Sequence, residues 1–266
     1  MDSAALPVCA TCGTQYPAPR PDCFICLDER QYVPRSGQRW TSLGDLRAGE
    51  YRARIEPEGP GVTGVGSAPQ FAIGQRALLV KASSGNVLWD CSAYLNDDTV
   101  EAVTRLGGIT AIAISHPHYY TTMVEWARTF DVPVYLHESD RGWIARPDDR
   151  LRLWRGTSHQ LSDELTLLNL GVHFAGGSVM HWNEGSGSLF SGDIVQVLAD
   201  PCWVAFMYSY PMLIPERPSV VRNAVELLTP YRFEAIYGAW WGKVVPADGE
   251  EVVRRSAKRY LEAVRD

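Results

Sequence analysis

Short apolar stretches broken by polar residues run through the early part of the chain and predict strands before any long helix. Residues 51–55 alternate, as do 71–73, while 77–80 and 86–90 flank Ser83-Ser84-Gly85 and read as a hairpin. Asp97 or Asp98 caps a helix carrying Val100, Val103 and Leu106, which Gly107-Gly108 stop. Residues 109–115 form a run of β-branched and small apolar residues, the pattern of a strand buried on both faces. A helix with Met123, Trp126, Ala127 and Phe130 follows, then a strand over 132–136. Residues 161–170, 178–182 and 188–191 read as strands, 220–228 as a helix, 233–237 as a strand, and 250–264 as an amphipathic closing helix. Strands first, then strands alternating with helices, predict an α/β fold.

Composition narrows the class without changing it. With 266 residues, 45% hydrophobic and 21% charged, the chain is neither disordered, collagen-like nor a pure coiled coil. The length suits one large domain with a small appendage. A net charge of −6 gives no general attraction to nucleic acid or anionic lipid. No apolar run approaches the roughly 20 residues of a membrane span, and the N-terminus lacks the basic and apolar regions of a secretory signal. The expectation is a soluble, cytoplasmic protein with a small-molecule substrate, no nucleic-acid or membrane partner, and a possible homo-oligomer.

Four of the six cysteines form two pairs, Cys9-x-x-Cys12 and Cys23-x-x-Cys26. Two such pairs are the ligand set of a tetrahedral zinc site; two disulfides in a secreted module are the alternative, which the missing export signal disfavours. Four thiolates fill the coordination sphere, so this zinc would be structural. The expected division is a zinc ribbon over 1–34 and a main domain over 35–266, such that Cys9→Ser destabilises the ribbon and spares the rest.

Further chemistry gathers at predicted strand ends. Ser115-His116-Pro117-His118-Tyr119-Tyr120 follows the buried strand, His173 sits in a glycine-rich bend, and Asp193 ends the strand Leu189-Phe190-Ser191-Gly192. Three imidazoles and one carboxylate suit zinc or ferrous iron with an open position for water. His137 reads as a surface hydrogen-bonding residue, His159 as solvated, and His181 as pointing away from the strand ends. The aromatic segment Trp203, Phe206, Tyr208 and Tyr210 reads as core packing or a subunit contact, or as a lid over an apolar substrate.

At these residues the sequence resembles the metallo-β-lactamase superfamily, and more narrowly a bacterial and fungal branch of it with an N-terminal zinc ribbon. The phrases DERQYV, AIAISHPHYY, SGDIVQV, FMYSYP and IYGAWWGK carry the closer likeness. The resemblance implies an αββα sandwich with a metal site along one edge. His116 and His118 match the first histidines of the HxHxDH motif, His173 its glycine-flanked third, and Asp193 the carboxylate that usually bridges two metals. Asp90 matches an aspartate that orients ligands from behind. The motif departs at Tyr120-Thr121, where Asp-His is usual, and at Gly238-Ala239-Trp240-Trp241, where a last histidine is usual. These losses imply one metal, with Trp240 and Trp241 walling a pocket where a second would sit.

Three functions follow from the resemblance. A hydrolase would use a zinc-bound water, with Asp193 holding the metal or orienting that water and Tyr119 or Tyr120 donating to the oxyanion. An oxidoreductase of the persulfide-dioxygenase type would hold mononuclear iron at His116, His173 and Asp193. A binding protein would have lost its chemistry.

Overall fold

The structure, a computed structural model, describes residues 3–265. Strand β1 (Val8–Cys9) pairs antiparallel with β2 (Trp40–Thr41), with Cys9 opposite Trp40. Between them, the short helix α1 (Phe24–Leu27) begins at the second cysteine pair. Helix α2 (Leu43–Ala48) follows, its end capped by the Ser42 hydroxyl, which accepts from the Asp45 N–H. The pairing of β1 with β2 straddles residue 34, and the Gln15 N–H donates to the Thr121 carbonyl at 3.0 Å. The cysteine-bearing segment is thus packed onto the body rather than linked to it.

Seven strands make the first sheet, in sequence order. They are β3 (Arg52–Gly59), β4 (Val62–Ala68), β5 (Ala77–Val80) and β6 (Val87–Trp89), then, after α3 (Asp97–Arg105), β7 (Ala111–Ala113). After α4 (Met123–Phe130) come β8 (Val134–His137) and β9 (Leu151–Trp154). Pairing is antiparallel to β6 and parallel from β6 to β9.

The second sheet holds six strands. It begins with β10 (Ser158–Gln160), β11 (Leu165–Asn169), β12 (Ser178–Trp182) and β13 (Ser188–Gly192). Two small hairpins interrupt it: β14 (Gln196–Val197) with β15 (Val204–Ala205), and β16 (Met207–Ser209) with β17 (Ile214–Pro215). Helix α5 (Pro218–Leu228) leads to β18 (Ala235–Gly238), parallel to β13, then β19 (Val244–Val245) and α6 (Gly249–Ala263).

Strand alternation sorts the side chains into layers. Val87, Trp89 and Ala113 face Leu165, Leu167, Met180 and Phe190 between the sheets. Leu88 and Ile112 point the other way, onto Val103, Met123 and Trp126 of α3 and α4. On the second sheet, Leu168, Leu189 and Ile236 pack on Val221, Ala224 and Val253 of α5 and α6. The result is the expected αββα sandwich. No helix among the described residues is long and apolar enough to cross a membrane.

Two local expectations, the strand over 71–73 and the α3 cap, fail, and one strand arises where none was expected. Residues 71–73 form a turn, because Ala72 adopts φ +56° and the Gly74 N–H closes back on the Phe71 carbonyl. Residues 62–68 form a strand despite Gly64 and Gly66, since a large ring lies where their side chains would stand. The α3 cap is Asn96, one residue before the acids, its side chain accepting from the Thr99 N–H.

Candidate metal centre

The parallel register of β6 and β7 sets the first part of the site. It pairs Trp89 with Ala113, so Asp90 leaves the sheet beside Ser115. The Ser115 N–H and hydroxyl both donate to Asp90 Oδ1 at 2.8 Å. With its proton committed there, the Ser115 Oγ accepts from His116 Nδ1 at 2.9 Å. That fixes the tautomer and leaves His116 Nε2 bare. Asp90 therefore acts on His116 through Ser115, a residue not singled out in the sequence. Gly192 makes this junction possible: its φ is +55°, and a Cβ there would stand 2.9 Å from Ser115 Oγ.

The third histidine arrives from the bend between β11 and β12 and is held by each of its polar groups. His173 Nδ1 donates to the Tyr208 carbonyl at 2.7 Å, and its N–H donates to Glu216 Oε2 at 2.9 Å. Its carbonyl accepts from Arg30 Nη1 at 3.2 Å. The backbone is strained at φ +66°, which a non-glycine residue keeps only when its surroundings insist.

Four ligand atoms converge. The ring centroids of His116, His118 and His173 form a triangle 5.0 Å on every side. His118 Nδ1 lies 3.3 Å from His173 Nε2, and His116 Nε2 lies 3.1 Å from Asp193 Oδ1. One atom from each of the four residues falls within 4.8 Å of the others, so the group could hold a metal ion. All four residues are buried, and His116 Nε2, His118 Nε2 and Asp193 Oδ1 have no hydrogen-bond partner. Burial, with neighbouring imidazoles, pushes the pKa of His116 and His118 well down; burial brings His173 to about 4. The rings are thus neutral, as metal binding requires. Burial, then the charge of Asp90, raises Asp193 to about 7.

A cover closes this cluster. The Arg30 guanidinium, clamped by both Asp28 oxygens, lies 3.9 Å from the Phe174 ring centre. The Tyr208 hydroxyl donates to Glu29, and the Tyr210 hydroxyl donates to the Asp193 carbonyl, both at 2.8 Å. Arg30, Ser115 and Glu216 were missed by sequence reading, which had no means of pairing segments so distant. Of the aromatic segment, Tyr208 and Tyr210 roof the site, Phe206 joins the second core, and Trp203 lies beneath Arg259.

The remaining candidates divide. Tyr119 meets His116 edge to face, 4.5 Å between centroids, and its buried hydroxyl lies beside Asp193. Tyr120 instead packs in the core with Met123 and Val124. Trp240 donates to the Ile73 carbonyl at 3.3 Å, and the Trp241 ring lies 4.1 Å from the Arg54 guanidinium. The Trp241 indole fills the slot that Gly64 and Gly66 leave in β4. Both indoles are thus held by Ile73, Arg54 and β4, rather than walling a pocket for a second ion as expected. His137 and His181 are satisfied by the carbonyls of Gly156 and Arg232. His159 stacks on Trp154 and is half-buried rather than solvated.

The cysteines form a second group. Cys9, Cys12, Cys23 and Cys26 are buried and unbonded to one another, with Sγ separations of 3.6 Å for Cys9–Cys26 and 3.5 Å for Cys12–Cys23. A tetrahedron with arms of about 2.3 Å has edges of about 3.8 Å, so the spacing suits a metal and not a disulfide. Gln38 Nε2 donates to Cys9 Sγ at 3.1 Å, and hydrogen bonds from the other three cysteines hold Cys9 well below the ordinary thiol range.

No protein-family model matches the chain. Among solved structures, the metallo-β-lactamase DIM-1 exposed to ceftazidime has a TM-score of 0.59 at 15% identity, covering 82% of this chain and all of its own. The mono-zinc form of FIM-1 from Pseudomonas aeruginosa gives 0.56 at 15% identity, covering 79% and 96%. A B3 metallo-β-lactamase with an active-site glutamic acid gives 0.53 at 15% identity, covering 90% and 99%. The uncharacterized protein YmaE of Bacillus subtilis (strain 168) is 45% identical over 264 residues, 97% of this chain and 96% of that one. The chain therefore belongs to the family of YmaE, and it has the metallo-β-lactamase fold.

Proposed function

We propose that this protein is a hydrolase that works with one metal ion at His116, His118, His173 and Asp193, on a small-molecule ester, thioester or amide. The convergence of three neutral imidazoles and one carboxylate, with His116 Nε2 and Asp193 Oδ1 facing each other unpartnered, carries this reading. Each buried polar atom left so costs about 1–3 kcal/mol, and a cation suits nitrogen and carboxylate lone pairs together. Zinc fits this donor set, and when bound it would lower the pKa of a coordinated water and polarise an acyl oxygen.

The chain's own residues do the rest. Ser115 and Asp90 keep His116 in its donor tautomer; Tyr208 does the same for His173. The Tyr119 hydroxyl, next to Asp193, would donate to the oxygen that gains charge in acyl transfer. Thr121, standing where a second ion would need a histidine, donates its hydroxyl to the Cys91 carbonyl instead. Among the described residues, no other cluster of His, Cys, Asp and Glu adjoins the site, which supports a single ion. The four cysteines hold a structural zinc in this reading, and their free thiols suit a reducing cytoplasm. The cover formed by Arg30, Tyr208 and Tyr210 must open to admit substrate.

The test is metal identity and stoichiometry, followed by a panel of ester, thioester and amide substrates. Two zinc ions per chain are expected, with His116→Ala losing one zinc and all turnover. Iron at the main site with oxygen uptake on a persulfide, or a second ion beside the first, would overturn the reading.

A further inference from the structure

Six large apolar side chains are exposed among the described residues, and five of them, Leu27, Tyr32, Met212, Leu213 and Ile214, lie on two segments. The segments touch: the Ser209 hydroxyl donates to the Glu29 carbonyl at 2.6 Å, and the Tyr208 hydroxyl donates to the Glu29 carboxylate. Pro211 and Pro215 are exposed as well, so five consecutive apolar residues stand in solvent at the tip of the β16–β17 hairpin. Single exposed apolar residues are ordinary, whereas a contiguous run is not. Leu213 adds an independent signal, being 79% exposed while its backbone sits at φ +55°, a conformation that favours glycine. A leucine there costs the monomer twice, in strain and in hydration.

We propose that this face is the interface between two copies of the chain. No charged residue occurs from Met207 to Pro215, and Tyr and Met are side chains that interface cores favour. Such a run does not recruit an acidic or basic partner, and a second identical copy offers the same uncharged hairpin in return. The scale also fits: a standard interface buries about 800 Å² on each side, roughly 60% of it apolar. Leu27, Tyr32, Met212, Leu213 and Ile214 are 37–79% exposed, and large side chains of about 200 Å² each would then supply that apolar share. The hairpin that would be clamped is the one whose inner side holds His173 and Asp193, through the Tyr208 carbonyl and the Tyr210 hydroxyl. The inference goes beyond the hydrolase reading and does not require turnover.

The experiment is sedimentation velocity on the full metal-loaded protein up to roughly 0.1 mM, with hydrogen exchange across residues 207–215. Wild type should form a reversible dimer, with exchange in the hairpin slowing as dimer accumulates. Leu213→Asp should weaken dimerisation at least roughly 100-fold. Leu213→Gly relieves the backbone strain, so it should fold at least as stably as wild type yet dimerise roughly tenfold more weakly. Leu153→Asp, at the remaining exposed apolar residue, should change nothing. A monomer throughout, or a dimer that survives both Leu213 substitutions, would overturn the proposal. So would a monomer that sediments with phosphatidylcholine vesicles, which would assign the face to a lipid surface.

Discussion

Arg30, four residues beyond the last cysteine of the N-terminal group, donates to the main-chain carbonyl of His173 at 3.2 Å. One side chain thus ties the segment that follows the cysteines to the bend that carries His173. Its guanidinium is committed on every side, to both Asp28 oxygens, to that carbonyl, and to the rings of Phe174 and Trp143. A planar fork can do all of this; an ammonium cannot.

Arg30→Ala should therefore loosen the bend that carries His173. Main-site metal affinity, measured by chelator competition, should fall about 10–100-fold, the usual cost of losing a group that orients a ligand. Arg30→Lys should recover little, and metal at the cysteines should be unaffected.

The expectation that Cys9→Ser spares the main site is revised by the same contact. Loss of the cysteine-bound metal should free residues 28–30 and weaken the main site as well. His116→Ala should act in one direction only, emptying the main site while leaving the cysteine group filled. Metal counts on the two variants separate the cases.

Tyr119 and Tyr120 are adjacent but should behave oppositely. Tyr119→Phe removes a buried, unpartnered hydroxyl, so stability should be unchanged or slightly higher. If that hydroxyl serves the oxyanion, kcat should fall about 100-fold with metal content and KM intact. Tyr120→Phe, in the core beside Met123, should leave kcat alone.

Asp140 supplies a pH-dependent prediction. Burial raises its pKa to about 6, while the Gly176 N–H donates to one oxygen and the other has no partner. The unfolded chain ionises this group near 3.9, so its contribution to stability is intact below that value. It is lost as pH rises through about 6. The loss should be on the order of 2 kcal/mol. Asp140→Asn retains the oxygen that accepts from Gly176, and denaturant titrations should show a flatter decline in stability between these pH values.

Much of this was legible in the chain because it depended on local pattern. The buried run before His116 and the apolar strand before Asp193 placed those residues at strand ends, and parallel pairing did the rest. The cysteine spacing likewise announced its own cluster. What escaped was set by packing between distant segments. Nothing near Trp241 shows that Gly64 and Gly66 leave a slot for its ring, and nothing near Arg30 shows that it meets residue 173. Tyr119 and Tyr120 could not be told apart, since their opposite directions depend on a single helical turn over Pro117–Tyr119.

The sealed cover over the four donors bears on how an ion comes and goes. With His116, His118, His173 and Asp193 all buried, a captured ion can leave only when the 28–30 segment or the hairpin swings aside. Residence time would then depend on how often that cover opens as well as on bond strength. Chain that folds in a metal-poor bath and closes empty would load slowly afterwards, so the ion present during synthesis has the advantage over one that binds more tightly but arrives late.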